Sequence, residues 1–274
     1  MEILMSEFRH TIKVDYPNGN RPIFEEWFSE NYFKCNTDRE LMPVWFTSYF
    51  VNHDYGNDKR KKQELQEYVD SLDRNKKWFC IIQYDDGVLI DFKDLDVLQF
   101  NMSKNIGVPI PLMCKPQPYK FSEQKKWMAN FVGSKTHPIR ESAEQLKKHE
   151  DYYISFEPHN IDKYCEIISH SLFTLCYRGY GANSFRIAES IQYGSIPVYI
   201  SDEFIIPFDL DFNEFGVVIK EEDKYRVDEI LKSIPIEDII KKQEKLSSVY
   251  NEYYTYEGCF DKIIKEIEAE YNKR

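Results

Sequence analysis

The segment 172–208 restricts the fold of this chain more than any other part of the sequence. Apolar runs, a glycine-bearing turn and apolar residues at helical spacing follow one another in it. They predict, in order, a strand, a turn, a helix and a strand: Leu172 to Cys176, 178–184, Phe185 to Tyr193, and Ile196 to Ile200. Gly194 stands where a helix commonly ends in a residue with positive φ. This order predicts a parallel α/β unit.

The turn and the helix start have the composition of an anion-binding site. A glycine turn that leads into a helix exposes unpaired backbone N–H groups beside a partial positive charge. Arg178 and Arg186 add full charges, so we expect the site to bind a diphosphate. Glu189 lies three residues after Arg186 on the same helical face and can accept hydrogen bonds from a ribose diol. The pattern therefore predicts a nucleotide-sugar site.

The segment from Cys176 to Phe208 resembles the C-terminal signature of the exostosin-type glycosyltransferases, family 47. The chain matches that signature at thirteen positions, namely Cys176, Arg178, Gly179, Gly181, Ser184, Arg186, Glu189, Gly194, Pro197, Val198, Asp202, Pro207 and Phe208. Tyr177 departs from it, since many members have Pro there. Gly133 and Arg140 are similar to a second family element.

The resemblance implies an α/β protein of the GT-B fold, with two Rossmann-like domains and a cleft between them. It also implies an inverting transferase that needs no metal or other cofactor and moves a sugar, for example xylose, from a UDP-linked donor to a glycan hydroxyl. The expected donor-binding residues are Arg140, Arg178, Gly179, Tyr180, Gly181, Asn183, Ser184, Arg186 and Glu189.

The N-terminal half alternates predicted strands with helices, which indicates a second parallel sheet. The predicted strands are 12–14, 44–50, 78–84 and 97–100, and the predicted helices are 22–33 and 59–74. Prolines mark 107–120 as a linker. We therefore expect an acceptor-binding domain at 1–112, a donor-binding domain at 113–255, and a C-terminal helix at 256–274 that packs back on the first domain.

An inverting transferase needs a general base opposite the leaving diphosphate, and we expect it in the N-terminal half. Asp85 and Asp86 are the first candidates, because they precede a glycine directly after an apolar strand. Asp54, with His53, follows the predicted strand 44–50 and is the second. The presence of Asp at either place also has a purely structural explanation, because Asp side chains stabilise turns by hydrogen bonds to the backbone.

Charge and composition exclude several other classes of protein. A formal net charge of −11 argues against nucleic-acid binding, which needs basic surface. The six cysteines form no C-x-x-C pair, so neither a disulfide framework nor a zinc site is expected. No apolar stretch approaches 18 residues, and the first residues lack a signal pattern. We therefore expect a cytoplasmic protein without a membrane span, similar to the short exostosin-like members of bacteria and large DNA viruses.

Three alternatives remain open at the level of sequence. Gly179-x-Gly181-x-x-Ser184, with Asp202 about 20 residues later, partly matches the fingerprint of an NAD(P)-dependent oxidoreductase. Asp94-Leu95-Asp96 and Asp209-Leu210-Asp211 match the D-x-D pattern of a metal-dependent GT-A transferase, although such strings are common by chance. A catalytically inactive carbohydrate-binding protein with the same fold would result from loss of the base alone.

Overall fold

The computed structural model describes residues 8–13, 23–32, 37–102, 106–114, 122 and 124–272. The chain packs as two compact units. Unit 1 comprises Met1–Lys115 and Tyr256–Arg274, and unit 2 comprises Pro116–Thr255. Each unit contains one sheet whose described strands are all parallel. The predicted α/β class is confirmed. The expected GT-B fold likewise has two α/β domains, each built on one parallel sheet.

Unit 1 contains a four-stranded sheet in the order β1-β2-β3-β4. Its described N-terminal elements are helix α1 (Phe24–Asn31), β1 (Glu40–Leu41), α2 (Phe46–Asn52), α3 (Lys59–Asp70), β2 (Lys77–Ile82), β3 (Asp96–Asn101) and β4 (Val108–Pro109). The strand β4 lies within the segment expected to be a linker, where Pro109 is tolerated because it is on the edge of the sheet. The predicted strand 12–14 does not form at Ile12 and Lys13, and Val14 lies outside the described residues.

The prediction of a strand at 44–50 is wrong, because residues 46–52 form α2. The run is continuously apolar, and its periodicity does not separate a strand from a helix. Hydrogen bonds to residues distant in sequence favour the helix over a strand at this position. Trp45, at the N-cap, makes no capping hydrogen bond with its side chain. Instead Glu25 Oε2 accepts from Thr47 N at 2.9 Å, and Ser48 Oγ donates to Glu26 Oε1 at 2.9 Å.

Both glutamates are buried, with exposed fractions of 3% for Glu25 and 2% for Glu26. Burial raises the pKa of Glu25 well above its ordinary value, although hydrogen bonds from Thr47 act in the opposite direction. The folded protein therefore holds a proton that the unfolded chain releases. The protonated Glu25 carboxyl therefore contributes to the stability of the folded state. The contribution is complete below the pKa of Glu25 in the unfolded chain and is lost as pH rises towards its pKa in the folded protein.

We expect the free energy of unfolding of the wild type to fall as pH rises above about 5, by up to ~1.4 kcal/mol per pH unit from this group. Glu25→Gln keeps a neutral acceptor for Thr47 N and should remove that part of the slope. Urea unfolding at pH 5, 6.5 and 8 measures it. Glu30→Gln, at an exposed position of α1, is the matched control. Equal slopes for Glu25→Gln and the wild type would contradict the assignment.

Unit 2 contains a five-stranded sheet in the order β6-β5-β7-β8-β9. Its strands are β5 (Trp127–Val132), β6 (Tyr152–Ser155), β7 (Ser171–Tyr177), β8 (Ile196–Ile200) and β9 (Val217–Ile219). A 3-10 helix, Pro138–Lys148, connects β5 to β6, and the α-helices are α4 (Ile161–Ser169), α5 (Phe185–Gln192), α6 (Val227–Ser233) and α7 (Ile236–Val249). The elements predicted within 172–208 are confirmed as β7, α5 and β8. Gly194 has the expected positive φ, at 67°.

The last helix of the chain, α8 (Tyr256–Asn272), belongs to unit 1 and packs on α1. The ring of Tyr256 lies 5.3 Å from that of Phe24, and the ring of Phe260 lies 4.7 Å from that of Phe28. Unit 1 is thus built from two segments that are separated in the chain by the whole of unit 2.

Candidate functional site

Three neighbouring strands of unit 2 end at the same edge of the sheet. β5 ends at Val132, β7 at Tyr177 and β8 at Ile200, and β7 pairs with both of the others. The loops that follow these strands carry most of the predicted donor-binding residues. In open α/β sheets the carboxyl ends of the strands are where ligands bind.

The turn 178–184 is held in shape from inside unit 2. The buried Tyr199 of β8 donates its hydroxyl to the carbonyl of Ala182. Asn183 Oδ1 accepts from Ser184 N at 2.8 Å. Gly179 and Gly181 are half-buried and Tyr180 is 74% exposed, so the turn has an outward-facing aromatic ring.

Two polar side-chain atoms of this turn are buried without a hydrogen-bond partner. They are Arg178 Nε and Ser184 Oγ. Ser184 is the N-cap of α5 and is only 4% exposed, yet its side chain makes no capping bond. Buried donors are normally paired, so two unpaired ones at the two ends of a turn that leads into a helix indicate a candidate site for a polar ligand.

Arg186 and Arg140 lie against the same aromatic ring. The Cζ atoms of Arg186 and Arg140 are 5.0 Å and 6.0 Å from the ring centre of Phe131. Arg186 donates from Nε and Nη2 to the carbonyl of Val132, at 3.0 Å and 2.7 Å. This approach requires Gly133, because a Cβ there would lie 1.9 Å from Arg186 Nη2. The absence of a side chain at Gly133 therefore leaves the space that the Arg186 guanidinium occupies.

Arg140 supports the turn from the start of the 3-10 helix Pro138–Lys148. Its Nε donates to the carbonyl of Arg178 at 2.9 Å, and its Nη1 donates to the carbonyl of Ser134 at 2.9 Å. Burial lowers the pKa of Arg140 to about 10, and the positive charge of Arg186 adds to the effect. An additional anion would relieve that repulsion.

Arg178 and Glu189 already have partners within unit 2. Arg178 Nη1 lies 2.8 Å from Glu203 Oε2, in the loop after β8. Tyr164 of α4 donates its hydroxyl to Glu189 Oε2 at 2.5 Å. Burial raises the pKa of Glu189, against the opposing effects of Arg186 and the Tyr164 hydrogen bond.

Sequence reasoning missed Tyr164, Phe131, Tyr199 and Glu203 as parts of this site. Each lies on an element whose pattern predicts only a core or loop residue. Glu203 carried a signal, because it is an acid three residues after a strand of the signature segment. Tyr177, the departure from the family pattern, is fully buried, with its ring edge-on to Phe131 at 5.1 Å.

The candidate bases of unit 1 lie on two adjacent loops. Asp85 is half-buried and Asp86 is exposed in a turn that Gly87 closes, with φ of 71° and its N–H bonded to the carbonyl of Tyr84 at 2.9 Å. Tyr84 in turn donates its hydroxyl to the carbonyl of Tyr55 at 2.8 Å, which joins this turn to the loop of Asp54.

Asp54 and Tyr55 have positive φ angles, 52° and 50°, which non-glycine residues rarely adopt. They follow the helix α2 and not a strand, so the expected placement of Asp54 at a strand end is wrong for the reason given for α2. Burial and the charge of Lys61 lower the pKa of His53, which favours the neutral imidazole.

Three of the four acids in the two D-x-D strings have partners other than a metal ion. Both oxygens of Asp94 accept from Arg74 Nε at 3.0 Å, and Asp96 Oδ1 lies 2.9 Å from Arg39 Nη1. Asp211 Oδ1 accepts from the backbone of Asn213. Among the described residues there is no group of three or more His, Cys, Asp and Glu side chains arranged to hold a metal ion.

Asp202, the acid that a dinucleotide site would use, has a structural partner. Its Oδ1 accepts from the backbone N–H of Glu221 at 3.1 Å. None of the described helices is both long enough and apolar enough to span a bilayer.

These features define an α/β protein with an arginine-rich candidate site on a glycine turn at the carboxyl edge of a parallel sheet. The family model of the Exostosin GT47 domain matches residues 82–234, which is more than half of the chain. The chain belongs to this family.

Three curated relatives match the chain over different lengths. A "Probable glucuronosyltransferase" of Oryza sativa subsp. japonica is 42% identical over 87 residues, which are 31% of this chain and 20% of the relative. A "Probable beta-1,4-xylosyltransferase" of Arabidopsis thaliana is 38% identical over 87 residues, 31% of this chain and 21% of the relative. An "Exostosin-1 homolog" of Caenorhabditis elegans is 24% identical over 248 residues, 70% of this chain and 65% of the relative. The chain spans about a fifth of the length of the plant relatives.

Solved structures give a more remote likeness. The crystal structure of TarM superposes with a TM-score of 0.42 at 12% identity, covering 76% of this chain and 46% of that one. The crystal structure of the pneumococcal O-GlcNAc transferase GtfA in complex with UDP and GlcNAc superposes with a TM-score of 0.38 at 11% identity. The match covers 77% of this chain and 43% of that one. A likeness of this degree identifies no ligand for this chain.

Proposed function

We propose that the chain is a glycosyltransferase that uses a nucleotide-sugar donor, most simply a UDP-linked sugar, and a glycan hydroxyl as acceptor. The observation that carries the proposal is the pair of unpartnered buried atoms, Arg178 Nε and Ser184 Oγ, at the start of α5 in a turn surrounded by arginines. Family membership gives this turn a context of sugar transfer.

In this proposal the diphosphate of the donor binds the turn 178–184. Backbone N–H groups at the start of α5, together with Arg178 and Arg186, stabilise the negative charge that develops on the leaving diphosphate. Glu189 accepts hydrogen bonds from the ribose, and Tyr164 orients its carboxylate. Because arginines supply the positive charge, we propose that no divalent metal is required.

We further propose an inverting reaction with a base from unit 1. A carboxylate of Asp85 or Asp86 accepts the proton of the acceptor hydroxyl as that oxygen attacks the anomeric carbon, and the nucleoside diphosphate leaves with the bonding electrons. Asp54 and His53, joined to this turn through Tyr84, are the second choice.

The first test is binding of UDP without metal. Calorimetry in EDTA should show binding, and UDP at ~100 times its Kd should raise the free energy of unfolding by about 2.7 kcal/mol. Arg178→Ala should weaken binding by about 1.5–3 kcal/mol, since a charged hydrogen-bond donor is lost. Arg226→Ala removes an exposed arginine of the same unit and is the control. Loss of UDP binding on adding EDTA would refute metal independence.

The sugar is then identified by assaying donors in the presence of glycan acceptors. The names of the relatives make UDP-glucuronate and UDP-xylose the first donors to compare. UDP binding without transfer from any donor of the panel would favour a carbohydrate-binding protein of the same fold.

A further inference from the structure

The carboxylate of Glu203 occupies a position from which it competes with a phosphate. Its Oε2 lies 2.8 Å from Arg178 Nη1. The side chain of Arg178 is 15% exposed, whereas that of Glu203 is 65% exposed. The arginine is thus fixed in unit 2, and its carboxylate partner reaches it from the solvent side.

The remaining donors of the turn are not satisfied by Glu203. Arg178 Nε and Ser184 Oγ stay unpartnered although both are buried. A single carboxylate neutralises Arg178 but leaves these two atoms without a hydrogen bond. A larger anion with several oxygens would satisfy more of them.

The backbone on which Glu203 lies is tied to the same turn. The hydroxyl of Tyr199 contacts the carbonyl of Glu203 at 3.3 Å and also that of Ala182 in the turn. Ser201 Oγ accepts from Glu203 N at 3.2 Å. The loop after β8 therefore holds the Glu203 carboxylate at the turn through contacts that do not involve its charge.

We propose that Glu203 is a specificity residue of the donor site, an internal anion that holds Arg178 when no donor is bound and must be displaced by the donor's diphosphate. This inference rests on the proposed function. Since Glu203 is already negative, a ligand must bring more charge or more acceptor oxygens than one carboxylate to displace it. The site consequently discriminates against weakly charged ligands and favours a nucleoside diphosphate.

Glu203→Gln removes the competing charge and keeps the shape of the side chain. Ion pairs with an exposed partner are weak, so we expect UDP to bind about two- to fivefold more tightly to this variant. Uridine, which has no phosphate, should bind equally to the variant and the wild type. A purely structural role of Glu203 would alter both ligands together.

Glu222→Gln is the matched control, because it removes one exposed negative charge from the loop after β9. It should leave the UDP affinity within twofold of the wild type. Glu203→Asp, which keeps the charge on a shorter side chain, should fall between the wild type and Glu203→Gln.

Calorimetric titration of UDP, UMP and uridine into the wild type, Glu203→Gln, Glu203→Asp and Glu222→Gln tests the proposal. Tighter UDP binding to Glu203→Gln, with UMP affected less and uridine not at all, supports the proposal. Unchanged or weaker UDP binding to Glu203→Gln overturns it while leaving the donor site intact. Absence of UDP binding to the wild type and to every variant would instead refute the proposed function.

Discussion

Replacing the general base should produce the largest loss of activity of any conservative substitution in unit 1. For Asp85→Asn or Asp86→Asn, whichever carries the base, we expect kcat to fall by about 10²–10⁴. The affinity for UDP should remain near that of the wild type, because a general base acts in the transition state and not on the bound donor. Transfer rates and UDP calorimetry on the same preparations measure both quantities.

Asp54→Asn is the comparison, because Asp54 lies on the loop joined to this turn by the Tyr84 hydroxyl. Full activity in both turn variants, with loss in Asp54→Asn, would transfer the role to the loop after α2. The configuration of the product at its anomeric carbon, determined by NMR, tests the mechanism separately. A product that retains the configuration of the donor would exclude the inverting reaction.

Gly133→Ala should abolish most of the donor affinity although the substitution adds one methyl group. The new Cβ would lie 1.9 Å from Arg186 Nη2 and 2.9 Å from its Cζ, so the guanidinium must leave its position on Phe131 and the Val132 carbonyl. Loss of a charged donor costs about 1.5–3 kcal/mol, which corresponds to a 10- to 150-fold rise in the Kd of UDP.

The fold should tolerate this change, because the backbone of Gly133 is not in the positive-φ region. Gly179→Ala is a graded control, since its Cβ would lie 3.3 Å from Arg140 Nη2 and needs only a small adjustment there. Wild-type UDP affinity in Gly133→Ala, with the melting temperature preserved, would show that Arg186 does not bind the donor.

The signature segment could be predicted from the sequence because its determinants are local. Gly194 follows α5 with its own positive φ, and the apolar runs on either side form β7 and β8, which pair with each other. Within this segment the local pattern of apolar residues and glycines is nearly sufficient to predict β7, α5 and β8 in order.

The helix α2 could not be predicted in the same way. Its start is capped by Glu25, 22 residues earlier, and no pattern within 44–52 indicates such a partner. The same limit applies to the site. The 2.5 Å hydrogen bond from Tyr164 to Glu189 joins residues 25 positions apart on different helices, and only the packing of α4 against α5 brings them together.

Arg140 is one of the expected donor-binding residues, and its hydrogen bonds in the structure are with the backbone. Its Nε donates to the carbonyl of Arg178 in the turn 178–184, and its Nη1 donates to the carbonyl of Ser134 after β5. Whether its remaining nitrogen also contacts a phosphate stays a prediction. A charged residue near a ligand-binding loop either binds the ligand or stabilises the conformation of the loop. The residue type alone does not distinguish these two roles.

The discontinuity of unit 1 has a consequence for how the protein is made. During synthesis the chain emerges from its N-terminus, so unit 2 is complete before α8 has appeared. Until then the aromatic surface of α1, including the rings of Phe24 and Phe28, lacks the partners Tyr256 and Phe260. The nascent chain therefore passes through a stage in which one unit is ready to fold while the other still exposes part of its core. At that stage it is most open to aggregation and to binding by chaperones.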